Sequence, residues 1–198
     1  SRNFLGSLQS LGFGVAVDEA AKTVTVEGLN GSVPVTEGVI YVGSAGTAAR
    51  FLTAMLALAE GTFVVNASEQ MKKRPMKPLF GVLERMGAEI TCLEAEGCLP
   101  VRIRGIGGRF SAHEMCRTRL DISESTQFLS ALLLVSPMVK QGLCVEITSA
   151  RKDGAYIRIT RRMMEQFGVK VDFDGVNYTI QAGAAYRSGC CQIEPDVS

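Results

Sequence analysis

The chain has 198 residues, 46% of them hydrophobic, and its 21 lysines and arginines nearly cancel its 20 aspartates and glutamates. This composition excludes a disordered chain, and the charge balance excludes a net field that would steer it to nucleic acid or a membrane surface, so any anion binding must come from local placement. No apolar run is long enough to cross a bilayer, and Ser1-Arg2-Asn3-Phe4 does not begin an export signal, which points to a cytoplasmic product with a small-molecule partner.

In chain order, the pattern predicts a helix over 2–11 closed by Gly12, then strands over 13–17 and 23–26 ending near Gly28. The turn Gly43-Ser44-Ala45-Gly46 opens an apolar helix over 47–59. It is followed by a strand over 62–66, a helix over 76–86 closed by Gly87, and strands over 88–93 and 99–104 before Gly105. The series then recurs: Ser125-Thr126-Gln127, a helix over 126–135, a strand over 143–148, a helix over 156–167 closed by Gly168, and strands over 169–173 and 178–181 before Gly183. Glycine after a helix suits a cap with positive φ, and alternation such as Val101-Arg102-Ile103-Arg104 suits a strand with one buried face.

These series are three copies of one unit, at a period of about 80 residues that is too long for a solenoid. The first copy begins inside its terminal helix, so the sequence reads as a fragment. The expected fold class is α/β (α+β), a pseudo-threefold repeat of βαβαββ units packed around buried helices with the first unit truncated. Helices over 51–58 and 128–135 are apolar nearly all round and are expected to be that core. The expected layout is one domain over 1–183, with a partial unit over 1–31, a second over 32–108 and a third over 109–183.

Six cysteines, Cys92, Cys98, Cys116, Cys144, Cys190 and Cys191, show no Cys-x-x-Cys pairing, and His113 is the only histidine. No metal site is expected, and the cysteines read as reduced, small core residues. The two small-polar turns carry more chemistry. The first turn of a helix leaves unpaired N–H groups and a partial positive charge, so glycine and hydroxyl residues there can close on a phosphate or carboxylate. Two such cradles, at Gly46-Thr47 and at Ser125-Thr126-Gln127, suggest two anionic groups.

Five segments in order carry a resemblance: Ala45-Gly46-Thr47-Ala48-Ala49-Arg50, Met71-Lys72-Lys73-Arg74-Pro75-Met76-Lys77-Pro78-Leu79, Gly97-Cys98-Leu99-Pro100-Val101-Arg102-Ile103, Ser125-Thr126-Gln127-Phe128-Leu129-Ser130-Ala131, and Met163-Met164-Glu165-Gln166-Phe167-Gly168-Val169. Their order and spacing resemble the first domain of the 5-enolpyruvylshikimate-3-phosphate synthase family, the 3-phosphoshikimate 1-carboxyvinyltransferases, over essentially the whole chain. The resemblance implies an enolpyruvyl transferase-like fold of two similar domains closing across a hinge, with 184–198 leading toward that hinge and the second domain absent. It implies transfer of the enolpyruvyl group of phosphoenolpyruvate to the 5-hydroxyl of shikimate 3-phosphate, in chorismate and aromatic amino acid biosynthesis. It also implies no cofactor, a monomer, the second domain of the same full-length chain as partner, and glyphosate as an inhibitor at the phosphoenolpyruvate site.

Residue by residue, the resemblance places Gly46, Thr47, Arg74 and Gln127 on phosphoenolpyruvate, and Ser125, Thr126, Gln127, Asp153 and Tyr156 on shikimate 3-phosphate. No catalytic residue is expected inside these 198 residues, since the family's acid and base groups fall before Ser1 and after Ser198, so the chain alone is expected to be inactive. Pro75 is expected in the first turn of the 76–86 helix, holding Arg74 at a helix start, and Thr47 is expected to cap its helix. Three positions depart from the family pattern: Ser44 for asparagine, Gln70 for arginine, and the loop Arg151-Lys152-Asp153-Gly154-Ala155 for Ser-Lys-Pro. Asp153 brings a carboxylate toward a phosphate, which Lys152 or Arg151 is expected to compensate. Two alternatives stay open: a transferase of enolpyruvyl to UDP-N-acetylglucosamine, whose loop cysteine has no counterpart between Gly61 and Arg74, and a noncatalytic anion-binding module of the same fold.

Overall fold

Strands that alternate apolar and polar residues must turn one face to a core, and here each such run is paired with a helix that supplies it. The computed structural model describes residues 2–107 and 114–193; His113 and the end of the 184–198 segment lie outside the described residues. The first unit contributes α1 (Arg2–Ser10), β1 (Val15–Asp18) and β2 (Thr23–Val26), the two strands forming an antiparallel hairpin. The second runs β3 (Glu37–Tyr41), α2 (Gly46–Leu58), β4 (Thr62–Asn66), a short α3 (Glu69–Lys72), α4 (Lys77–Arg85), β5 (Glu89–Cys92) and β6 (Val101–Arg104). The third runs β7 (Cys116–Leu120), α5 (Gln127–Val135), β8 (Leu143–Ile147), α6 (Ala155–Gln166), β9 (Asp172–Phe173) and β10 (Asn177–Ile180).

The two complete units share one sheet plan. Their strand orders are β3-β4-β6-β5 and β7-β8-β10-β9, the first pair in each being parallel across a helix and the rest antiparallel. In the second unit Ile103 lies opposite both Phe63 and Ile90 on the buried face. In the third, Tyr178 lies opposite Val145 and Phe173, with the Phe173 and Tyr178 rings stacked at 4.2 Å. The βαβαββ unit expected from the sequence is therefore observed twice, together with the second half of another.

Helices α2 and α5 pack on each other at the centre, burying Leu52, Ala54, Leu56 and Leu58 from one and Phe128, Leu129, Leu132 and Leu133 from the other. Gly12, Gly87 and Gly168 close α1, α4 and α6 at φ of 86°, 112° and 89°, the region that favours glycine. The first two terminal helices each cover the opening strand of the next unit. α1 packs on β3, where Ser7 Oγ donates to Tyr41 O at 3.4 Å, and α4 packs on β7, where Arg85 Nη2 donates to Arg119 O at 2.7 Å. The β1–β2 hairpin is the exception to this burial, since the face that carries Val17, Val24 and Val26 is 52%, 50% and 45% exposed. Among the described residues no helix is long and apolar enough to cross a membrane.

Candidate functional site

The turn before α2 brings backbone to the surface where a helix begins. Ala45 occupies the cap position and supplies no side-chain hydrogen bond, so the first-turn N–H groups of α2 are not closed by a cap. Gly46 is buried beneath two guanidinium groups: a Cβ there would stand 2.5 Å from Arg50 Nη1 and 2.7 Å from Arg74 Nη1. Thr47 does not cap α2. Its hydroxyl instead accepts from Gln127 Nε2 at 3.2 Å, because the side chain turns toward the start of α5 rather than back on its own helix.

Gln127 is the hinge pin of this cluster. Its Oε1 accepts from Arg50 Nη1 at 2.8 Å while its Nε2 reaches Thr47, so one amide joins the starts of α2 and α5. Arg50 is 4% exposed, with its guanidinium 5.1 Å from the centroid of the Phe128 ring. Burial first, and then the neighbouring charge of Arg74, lowers its pKa from the ordinary arginine value, yet a guanidinium stays protonated. Arg50 Nε, buried, has no hydrogen-bond partner among the described residues. Arg50 was not among the candidates drawn from the sequence. Its signal there is a lone cation in an otherwise apolar helix, four residues after Gly46.

Arg74 follows α3 in the connection to α4, so the proline expected to hold it at a helix start does not do so. The proline in the first turn of α4 is Pro78, and Pro75 precedes the cap residue Met76. What isolates Arg74 is the fate of its neighbours. Lys72 is committed to Glu69 at 3.0 Å and Glu94 at 2.9 Å, while Arg74 has neither an ion pair nor a side-chain hydrogen bond among the described residues. Two cations thus face Gly46 with no carboxylate paired to either among the described residues, an arrangement that calls for an anion.

At the second cradle Ser125 Oγ accepts from the Gln127 N–H at 3.2 Å, while Thr126 holds the formal cap position without a cap bond. The loop before α6 abuts it: a Cβ at Gly154 would meet Thr126 Cγ2 at 3.3 Å. Tyr156, in the first turn of α6, is 65% exposed, and its hydroxyl has no partner among the described residues. Asp153 is compensated, though by neither neighbour expected to do so. Lys152 Nζ donates to the Ile147 carbonyl and Arg151 forms no ion pair among the described residues, whereas Arg158, one helical turn into α6, meets Asp153 Oδ2 at 2.8 Å. Burial alone would raise the Asp153 carboxyl, but the Gly154 N–H, Arg158 and Tyr178 outweigh it and hold the group below the usual carboxylate range. The structure therefore gathers Gly46, Thr47, Arg74 and Gln127 at the first cradle, and Ser125, Thr126, Asp153 and Tyr156 around the starts of α5 and α6.

All six cysteines are unbridged, and among the described residues no group of His, Cys, Asp or Glu could hold a metal ion.

Comparison with known proteins gives one family. The model of EPSP synthase (3-phosphoshikimate 1-carboxyvinyltransferase) matches residues 1–198. A 3-phosphoshikimate 1-carboxyvinyltransferase of Opitutus terrae is 37% identical, covering 98% of this chain and 44% of its own length. One of Trichormus variabilis is 33% identical, covering 100% of this chain and 46% of its own. The chain thus spans somewhat under half the length of these curated relatives. Among solved structures, EPSP synthase from Acinetobacter baumannii superposes with a TM-score of 0.74 at 23% identity, covering 94% of this chain and 40% of the other, which shows a shared fold.

Proposed function

Because the chain belongs to the EPSP synthase (3-phosphoshikimate 1-carboxyvinyltransferase) family, which it matches along its whole length, we propose that it is the substrate-binding portion of such an enzyme. That enzyme moves the enolpyruvyl group of phosphoenolpyruvate onto the 5-hydroxyl of shikimate 3-phosphate, in the cytoplasmic route to chorismate and the aromatic amino acids. The observation that carries this reading is the convergence of Arg50 and Arg74 on Gly46, beside an amide that spans two helix starts.

Phosphoenolpyruvate brings a phosphate and a carboxylate, and shikimate 3-phosphate brings another of each. The protein must neutralise several charges and still leave one enol carbon free to react. Guanidinium forks and helix N–H groups do this without contributing a competing nucleophile. In this assignment the α2 start, Arg50 and Arg74 take phosphoenolpyruvate, Ser125, Thr126 and Tyr156 take shikimate 3-phosphate, and Gln127 lies between them. Proton transfer belongs to the part of the family's length that this chain does not span. There a second domain would join as partner within a monomer, supply the acid and base, and exclude water.

Calorimetric titration of the chain with shikimate 3-phosphate and then phosphoenolpyruvate tests the assignment. Saturable binding of both is expected, with phosphoenolpyruvate lost in Arg74→Ala and no turnover by the chain alone. Absence of binding by both ligands, or turnover near that of a full-length family enzyme, would overturn it.

A further inference from the structure

The loop that enters α6 carries an anion of its own. Asp153 Oδ2 meets Arg158 Nη1 at 2.8 Å, Asp153 Oδ1 accepts from the Tyr178 hydroxyl at 3.1 Å, and the Gly154 N–H also engages the carboxylate. Tyr178 is fully buried in β10 and its hydroxyl also lies 2.9 Å from the Lys152 carbonyl, so the sheet fixes this loop from below. The Asp153 side chain nevertheless stays 28% exposed, and the adjoining Gly154 lies against Thr126 of the other cradle. A negative charge is therefore clamped next to the residue that touches the start of α5, and the exposed Arg158 offsets it.

We infer that Asp153 is a specificity-determining residue of the subsite formed by Ser125, Thr126 and Tyr156. Its carboxylate weakens binding of the ligand's 3-phosphate relative to the same ligand without that phosphate, and Arg158 limits the penalty. The inference rests on the proposed assignment of that subsite to shikimate 3-phosphate. Arg158 carries this role alone among the described residues, since Lys152 donates to a backbone carbonyl and Arg151 makes no ion pair with Asp153.

The charge can be removed while the contact to the sheet is kept, because an asparagine carbonyl still accepts from Tyr178, whereas its amide no longer accepts from Arg158 and so releases that guanidinium. Calorimetry on the 198-residue chain compares shikimate 3-phosphate with shikimate for wild type, Asp153→Asn and Arg158→Gln. Asp153→Asn should tighten shikimate 3-phosphate about fivefold, the scale of one like-charge contact near a surface, and leave shikimate unchanged. Arg158→Gln should weaken shikimate 3-phosphate by a similar factor, again without moving shikimate. An unchanged ratio of the two affinities in Asp153→Asn, or parallel losses for both ligands accompanied by lower thermal stability, would assign Asp153 a structural role only and overturn the inference. Wild-type chain that binds neither ligand would instead remove the subsite assignment, and the inference with it.

Discussion

Replacing Gly46 by alanine places a methyl group between two guanidinium groups, at 2.5 Å from Arg50 Nη1 and 2.7 Å from Arg74 Nη1. Ordinary carbon contacts are near 3.5 Å, so each nitrogen must retreat by about 1 Å. Arg74 is exposed and can swing away. Arg50 cannot move as easily, because it is 4% exposed, bonded to Gln127 and placed over Phe128. The strain therefore falls on the Arg50–Gln127 bond, a charged contact of about 1.5–3 kcal/mol, while alanine returns up to about 1 kcal/mol in helix propensity. The difference leaves a loss of fold stability of about 0.5–3 kcal/mol. Ligand affinity should suffer, since both cations leave the position that faces the anion. A loss of about 2 kcal/mol corresponds to a Kd for phosphoenolpyruvate raised about 30-fold, with shikimate 3-phosphate moved less than about threefold because its contacts lie at the other helix starts. Calorimetry with each ligand, and displacement of phosphoenolpyruvate by glyphosate, measures the split. A Gly46→Ala chain that keeps wild-type phosphoenolpyruvate affinity would refute the placement of the two arginines.

Arg50→Met removes a buried cation and its repulsion from Arg74 but also its bond to Gln127, so these terms offset and the melting temperature should move by only a few degrees while phosphoenolpyruvate binding falls by about 100-fold or more, read from paired melting and calorimetry. Gln127→Ala should cost about 1–3 kcal/mol of binding free energy by leaving Arg50 and Thr47 without their shared partner, and equal affinities in mutant and wild type would count against the bridge. Gly105→Ala would set a Cβ 2.1 Å from Ala59 O and 2.5 Å from Leu56 O, backbone atoms that cannot yield, and should destabilise the fold by about 3 kcal/mol or more in urea denaturation. Asp174, bonded by the backbone and side chain of Asn177 and the Val176 N–H, has its carboxyl held down at about 2. Its folded value is the depressed one, so the contribution is present above about pH 4 and is lost as pH falls toward 2. Asp174→Asn should flatten the acid limb of the stability profile in that window.

Periodic burial made much of the fold legible. The strand expected over 62–66 is β4, and the helix stops at Gly12, Gly87 and Gly168 fall where positive φ was expected. The opening strands β3 and β7 were implied by the repeat but not located. Gly38 breaks the apolar pattern of β3 without breaking the strand, Val39 and Tyr41 of that strand point to solvent, and the polar outer face of β7 carries Arg117 and Arg119. At the site, glycine and hydroxyl residues before apolar helices marked both cradles. Arg50 stayed hidden because the helix around it reads as core, and its side-chain hydrogen bond runs to a residue 77 positions away. No local pattern reports such a distance. Asp153 was legible as a charge, but its partner was assigned to sequence neighbours when the helical turn of α6 supplies Arg158 instead.

The overlap of α1 on β3 and of α4 on β7 has a further consequence for how the molecule comes apart. In a linear array of repeats, each module touches only its immediate neighbours, and stability is a sum of module terms and nearest-neighbour terms. Here a covalent boundary between repeats never coincides with a packing boundary, because the last helix of one repeat is the roof of the next. Unzipping one repeat strips cover from its neighbour, so loss of either is expected to propagate through the shared α2–α5 interior. Denaturation should therefore be a single cooperative event for these parts. The β1–β2 hairpin, already half open to solvent, should exchange its amide hydrogens long before they do.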